Sequence, residues 1–312
     1  MRRTAKGRPG APERADQRRQ ALAWLRADLE LRTRLLNEGK GVGESLAAWQ
    51  TDSDLASVRD SAELAKLSAA ERAPWQRLWA DVTALLAADP LGQGLTQAAR
   101  RQWAQAAAYY AQALKGGPTD DGEFWFEYAA LLLLSGNRPG YARACARMIK
   151  RCGKARDLRS YHVARACTLA PNAVADESLP GRLAEKELQD WAREFWSLTE
   201  QGALAYRAGR FQEAVPLFGQ SLRADPKSGR AVLNWLWLAL SHQRLGKAEE
   251  ARRWLVKAQA WLDQYRDGIS ARAEEKLGVH FHNWLEAHVL RREAEALIQS
   301  TGPLSATPRG NR

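Results

Sequence analysis

Few residues of this chain are spaced for catalysis. Its five histidines are scattered, and His280 and His282, two positions apart, would project to different sides of a helix. No cysteine or carboxylate pair stands at metal-ligand spacing beside them, so no metal site is expected. Gly39-Lys-Gly-Val-Gly43 has the glycines and lysine of a phosphate loop but not the GxxxxGKS order, and it reads as a helix stop. GxSxG, HRD, DFG and HExxH are absent. Neither catalysis nor a cofactor is expected. One charged constellation does have helical spacing. Arg143, Arg147, Lys150, Arg151 and Lys154 follow i, i+4, i+7, i+8 and i+11, which puts them on one helix face. Such a basic stripe suits an acidic protein segment, a phosphorylated partner or nucleic acid through its phosphates; it is also what a plain solvated face looks like. No aromatic alternates with it, as single-strand recognition would require.

The elements that must position these residues are helices. Hydrophobic residues make up 45% of the 312-residue chain, enough for a sizeable core, and no segment shows sustained strand alternation. Thirteen tryptophans supply large anchors for irregular gaps between helices. The net charge of +11 is concentrated in residues 1–20 and 138–159, weaker grounds for nucleic acid than a uniformly basic surface. Apolar runs such as AALLLL and WLWLAL fall far short of the roughly 20 residues of a membrane span, so no membrane partner is expected. The N-terminus has no apolar h-region, and the three cysteines form no CxxC pair. On one helix Cys145 and Cys152 would lie about 10 Å apart along its axis, too far for a disulfide. These features predict a cytoplasmic, reduced protein.

Four stretches are expected: a disordered basic segment at 1–16, a helical section at 17–90, repeats at 91–300 and a flexible tail at 301–312. In the first section helices are expected near 17–37, 44–50 and 54–59, with capping boxes starting others near 61 and 69. Pro74 should kink the last of these or delay its start. Beyond residue 190, a small pair (Gly202, Ala203) is followed by Gly209, Phe211, Ala214, Phe218, Ser221 and Pro226, the spacings of one tetratricopeptide (TPR) hairpin. Gly246, Ala251, Leu255 and Ala258 repeat the pattern downstream, and Gly136, Tyr141, Ala144 and Met148 upstream. The steps from Ala106 to Ala144 and from Ala214 to Ala251 are 38 and 37 residues, against the usual 34. Residues 157–170 read as a further first helix and 172–182 as a loop, Pro216 disturbs its own helix, and a helix at about 270–299 caps the array. The predicted fold is an all-α solenoid of TPR-like hairpins.

TPR stacks build a concave face from first-helix positions. Here that face maps to Trp196, Thr199, Ala203, Tyr206 and Arg207 in one repeat and to Leu233, Leu236, Leu240, Gln243 and Arg244 in the next. Glu123, Phe126, Ala130, Leu133 and Leu134 extend it upstream. Its chemistry suits an apolar peptide with an acid anchored by Arg207 and Arg244; alternatively, the chain's own helices cover it. The ordered motifs ALAWLRADLELRTRLL, LAAWQTDSDLASVRD, YARACARMI, ACTLAP, LAYRAGRFQEAV and WLWLALSHQRLGKAEEARRWLVKAQAWLDQ resemble TPR-containing C-terminal regions of planctomycete bacterial proteins. Many of those regions follow a serine/threonine kinase domain or a WD40 propeller. The resemblance implies a non-catalytic interaction or regulatory segment in bacterial signalling, free-standing or separated from a kinase.

Overall fold

A computed structural model describes residues 11–38, 42–116, 121–152, 158–226, 229–264 and 279–300. Among them every regular element is helical. The chain divides into two units: residues 1–97 with 108–116, and 98–107 with 117–312.

In the first unit α1 (Ala11–Asn37) begins six residues ahead of its expected start. Residues 1–10 and the tail 301–312 lie outside the described residues. The short helices α2 (Gly43–Thr51), α3 (Ala56–Arg59) and α4 (Ser61–Leu64) follow, with a 3-10 turn at Ser53–Leu55. Helix α5 (Ala69–Ala87) is capped by Ser68, whose hydroxyl accepts from the Glu71 amide at 3.3 Å. It runs through Pro74 without interruption, so the expected delay does not occur. Its buried face holds Trp75, Leu78, Val82 and Leu86, and meets Leu29, Val42, Leu46, Val58 and Leu64 in one core.

Val42 and Gly43, at the end of the glycine stretch, hold a buried carboxylate. Asp89, buried at the N-terminus of α6 (Pro90–Ala99), accepts from the Gly92 amide at 2.8 Å through Oδ1. Its other oxygen, Oδ2, accepts from the Val42 and Gly43 amides at 2.8 and 2.7 Å. One carboxylate thus caps two helices. A Cβ on either Gly43 or Gly92 would lie 2.4 Å from the other's Cα, which explains why neither carries a side chain. Helix α7 (Trp103–Gly116) follows α6 after a short turn.

The second unit is a series of antiparallel hairpins. They are α8 (Gly122–Leu134) with α9 (Arg138–Cys152), α10 (Leu158–Thr168) with α11 (Leu179–Asp190), α12 (Phe195–Arg207) with α13 (Phe211–Ala224), and α14 (Ala231–Arg244) with α15 (Ala248–Gln264). Three share one turn, in which Gly136, Gly209 and Gly246 adopt φ of +80°, +75° and +74°. The next amide in each reaches back: Asn137 to the Leu132 carbonyl (2.8 Å), Arg210 to Ala205 (2.9 Å) and Lys247 to His242 (2.9 Å). This left-handed ending closes a helix sharply enough for its partner to pack back on it. The α10–α11 hairpin replaces the glycine turn with a loop, and α11 starts inside the stretch expected to be loop. Pro180 in its first turn is a helix starter there, not a breaker.

The small positions do what their spacing implied. Ala106, Ala144, Ala214 and Ala251 are buried, as are Phe218, Tyr141 and Met148. Pro216 is accommodated inside α13.

Candidate interaction surfaces

The last helix, α16 (Phe281–Ser300), packs against α8 and α14, the first helices of their hairpins, and against α15. Every residue from His282 to Leu290 is buried, so the helix is enclosed on all sides over that stretch. Its apolar side chains Trp284, Leu285 and Leu290 are fully covered.

Charged groups fasten it. Arg207 faces Glu293 with both ends of its guanidinium, Nη1–Oε1 at 2.6 Å and Nη2–Oε2 at 2.7 Å. Its Nε donates to the Thr168 carbonyl at 2.6 Å and its Nη2 to that of Leu169 at 2.9 Å. The same cation sits 4.9 Å from the Trp237 ring and 5.3 Å from that of Tyr206. Nearer the start of α16, Arg165 donates to Asn283 Oδ1 at 2.8 Å and to the Glu286 carboxylate. It lies 4.7 Å from the Phe126 ring. Arg292 donates to the Leu134 carbonyl.

The interior this creates is electrostatically expensive. Glu200 is buried near Arg165 and Glu286, and burial pushes its carboxyl up to about 8, although Arg165 pulls it down. His282 is driven down to about 2, by burial and then by the Arg165 charge, and His162 to about 4 by the same two causes. The rings of His280 and His282 stack 5.3 Å apart, not on opposite sides, because α16 begins only at Phe281 and His280 precedes it. Among the described residues no histidine, cysteine or carboxylate cluster could hold a metal. Cys145 and Cys167 are buried free thiols, and Cys145 beside it, together with burial, holds the Cys167 thiol far above the ordinary range.

Most inner-face residues named from spacing are thus occupied within the chain. Tyr206, Leu236 and Leu240 are buried, as are Ala203, Leu233, Phe126, Ala130 and Leu134. Thr199 is part of a buried hydroxyl and amide network between helices: its Oγ1 is 2.9 Å from Ser221 Oγ, which also accepts from Asn234 Nδ2 at 2.9 Å. Trp196 is half-buried against Tyr161, with ring centroids 4.9 Å apart. Leu133 and Gln243 are half-buried, and Glu123 and Arg244 are exposed. Spacing did not single out Arg165, Glu200, Glu286 or Glu293. The available signal was a charge set among small and apolar neighbours, as in VARAC for Arg165 and SLTEQGA for Glu200.

The basic stripe presents a different surface. Arg143, Arg147, Lys150 and Arg151 are all exposed on α9. Arg147 stands 5.1 Å from the Trp125 ring, and among the described residues no carboxylate pairs with Arg143 or Lys150. Lys154 lies outside the described residues.

A family model for the tetratricopeptide repeat matches residues 205–274, from the end of α12 through α15 and beyond. The match covers under a quarter of the chain. No curated protein matches it. The TPR assignment agrees with the helical-hairpin solenoid, and TPR repeats are in general protein-interaction modules without catalytic residues. Among the described residues no helix is long and apolar enough to cross a membrane.

Proposed function

We propose that this chain is a non-catalytic TPR interaction module whose partner is an acidic protein segment bound on the outer face of α9. The observation that carries the reading is the division of labour between the two surfaces. The concave face, which TPR stacks ordinarily offer to ligands, holds α16, and its cation Arg207 already has a carboxylate in Glu293. In this reading Arg207 serves the chain's own last helix, Trp196, Thr199, Tyr206, Leu236 and Leu240 serve the packing between its helices, and Gln243 and Arg244 stay at the rim. Arg143 and Lys150, by contrast, stand exposed on a single helix face with no acid beside them among the described residues. Exposed cations in a row attract acidic chains and give fast, salt-sensitive association.

A place in bacterial signalling, free-standing or joined to a serine/threonine kinase, is part of the same proposal, supported by the resemblance of the ordered helix motifs. A cytoplasmic setting is supported by the buried free thiols of Cys145 and Cys167.

The test is fluorescence anisotropy with a labelled glutamate-rich peptide and, separately, a labelled single-stranded oligonucleotide. The wild type is compared with Arg143→Glu/Lys150→Glu, both exposed positions whose reversal leaves the core intact. The expected result is peptide binding that weakens with salt and is lost in the variant. Unaltered peptide binding in the variant, or binding of the oligonucleotide alone, would overturn the reading.

A further inference from the structure

Apart from α9, the second unit has a cleft of about 420 Å³ where the turn before α7 meets α15 and α16. Arg101, Arg291, Arg292 and His288 line it together with Asp263 and Glu295, and Trp103 forms an aromatic wall. Arg291 is already neutralised, with Glu295 at 2.7 Å and Asp263 at 3.6 Å. Arg292 also feels the Glu295 charge but makes no ion pair with it. Arg292 donates to a carbonyl, that of Leu134, and among the described residues neither it nor Arg101 has a carboxylate within ion-pairing distance.

The donors of Arg101 are left over. Its Nε and Nη2 are buried and meet no acceptor among the described residues, and neither does Nε2 of His288, which is 6% exposed. Buried polar atoms without partners are uncommon and call for an explanation. The backbone at Arg101 points the same way. It closes α6 at φ 58°, a left-handed turn where glycine is the usual residue and a long cation is not. Strain of this kind tends to be kept where a side chain has a task.

We propose that this cleft binds a phosphoryl oxyanion carried by a small ligand. Arg101 and Arg292, from separate segments and without a carboxylate at ion-pairing distance, leave the lining with a net positive charge that attracts an anion, and the planar fork of arginine fits phosphate oxygens in pairs. A phosphoryl group has three terminal oxygens for Arg101, Arg292 and His288; a carboxylate has only two. The cleft is also roomier than a bare anion needs, and Trp103, whose ring lies 5.5 Å from that of His288, offers a flat face to the rest of the ligand. The local field agrees: burial and then Arg101, Arg291 and Arg292 hold the His288 imidazole down to about 3.

Isothermal titration of the full chain with phenyl phosphate, inorganic phosphate and benzoate tests this. Arg101→Gly is the decisive variant, because glycine suits φ 58° and the fold should persist, checked by an unfolding midpoint no lower than wild type. The expected result is saturable binding of phenyl phosphate, weakened about tenfold or more by Arg101→Gly, as loss of a charge-assisted hydrogen bond implies. Equal affinity for inorganic phosphate supports the site and identifies the free anion as sufficient. Arg143→Glu/Lys150→Glu should bind as wild type does. The proposal is overturned by no saturable binding of either phosphate, by benzoate binding as tightly as phenyl phosphate, by a folded Arg101→Gly chain that binds unchanged, or by loss of binding in the α9 variant.

Discussion

Arg207 of α12 and Glu293 of α16 form a two-pronged ion pair across 86 positions of sequence. With 13% and 24% of their side chains exposed, they are largely withdrawn from water. The pair is more than an attachment point, since Arg207 also donates to the carbonyls of Thr168 and Leu169, just past the end of α10. A single guanidinium therefore joins three parts of the solenoid.

Removing one member of such a pair strands the other. Arg207→Ala should lower unfolding stability by roughly 3 kcal/mol, and Glu293→Gln by less, because the amide still accepts a hydrogen bond. Chemical denaturation of both single variants and the double variant reads the coupling. Additive losses would mean that the pair contributes nothing beyond its separate parts.

Two glycines in neighbouring helices should respond oppositely to alanine. At Gly202 a Cβ would fall 2.4 Å from Cε1 of Phe218, in the tight crossing of α12 on α13. Gly202→Ala should cost about 1–3 kcal/mol by overpacking. At Gly181 in α11 a Cβ meets nothing within 4 Å, so Gly181→Ala should stabilise by up to about 1 kcal/mol through helix propensity. Thermal unfolding that ranks the two variants in the reverse order would show that the crossing is not as close as described.

Glu200 makes the second unit sensitive to base. Its carboxyl is raised from an ordinary 4.5 to about 8, by burial first and by Glu286 next, against Arg165 and a Thr168 hydrogen bond. A raised acid keeps its proton in the folded state after the unfolded chain has lost it. Its favourable contribution is therefore complete below about pH 4.5 and is lost as pH rises towards 8. Glu200→Gln removes this titration. The variant should match wild type near pH 5 and exceed it at pH 8 by roughly 1–3 kcal/mol. Parallel stability curves for the two proteins would refute the assignment.

The repeat itself was legible because it rests on local rules. Gly209 serves a turn and Ala214, Phe218 and Ser221 a helix crossing, and both are set within α12, α13 and the turn between them. The polar interior was not legible. Arg165 and Glu200 look like surface charges on amphipathic helices until Glu286 is brought beside them from more than 80 positions along the chain. The α10–α11 hairpin was half-read for a related reason: Pro180 signals both a loop and a helix start, and only packing of Ala184 and Leu188 against Tyr161 decides between them.

Sequence was sufficient for an all-α chain of TPR-like hairpins, for the left-handed glycines between helices and for the basic face of α9, since periodicity and turn sterics act within one or two helices. It also suggested a peptide partner for the concave face, with Arg207 and Arg244 as cations for an acid. Only tertiary structure decided that α16 lies on that face and that Glu293 is the acid. The same holds for the unpartnered donors of Arg101, which the turn after α6 carries into a cleft formed with α15 and α16. Which groups become buried together depends on where remote segments meet, and burial is what turns a common surface arginine into an ion-pair anchor or an anion-binding group.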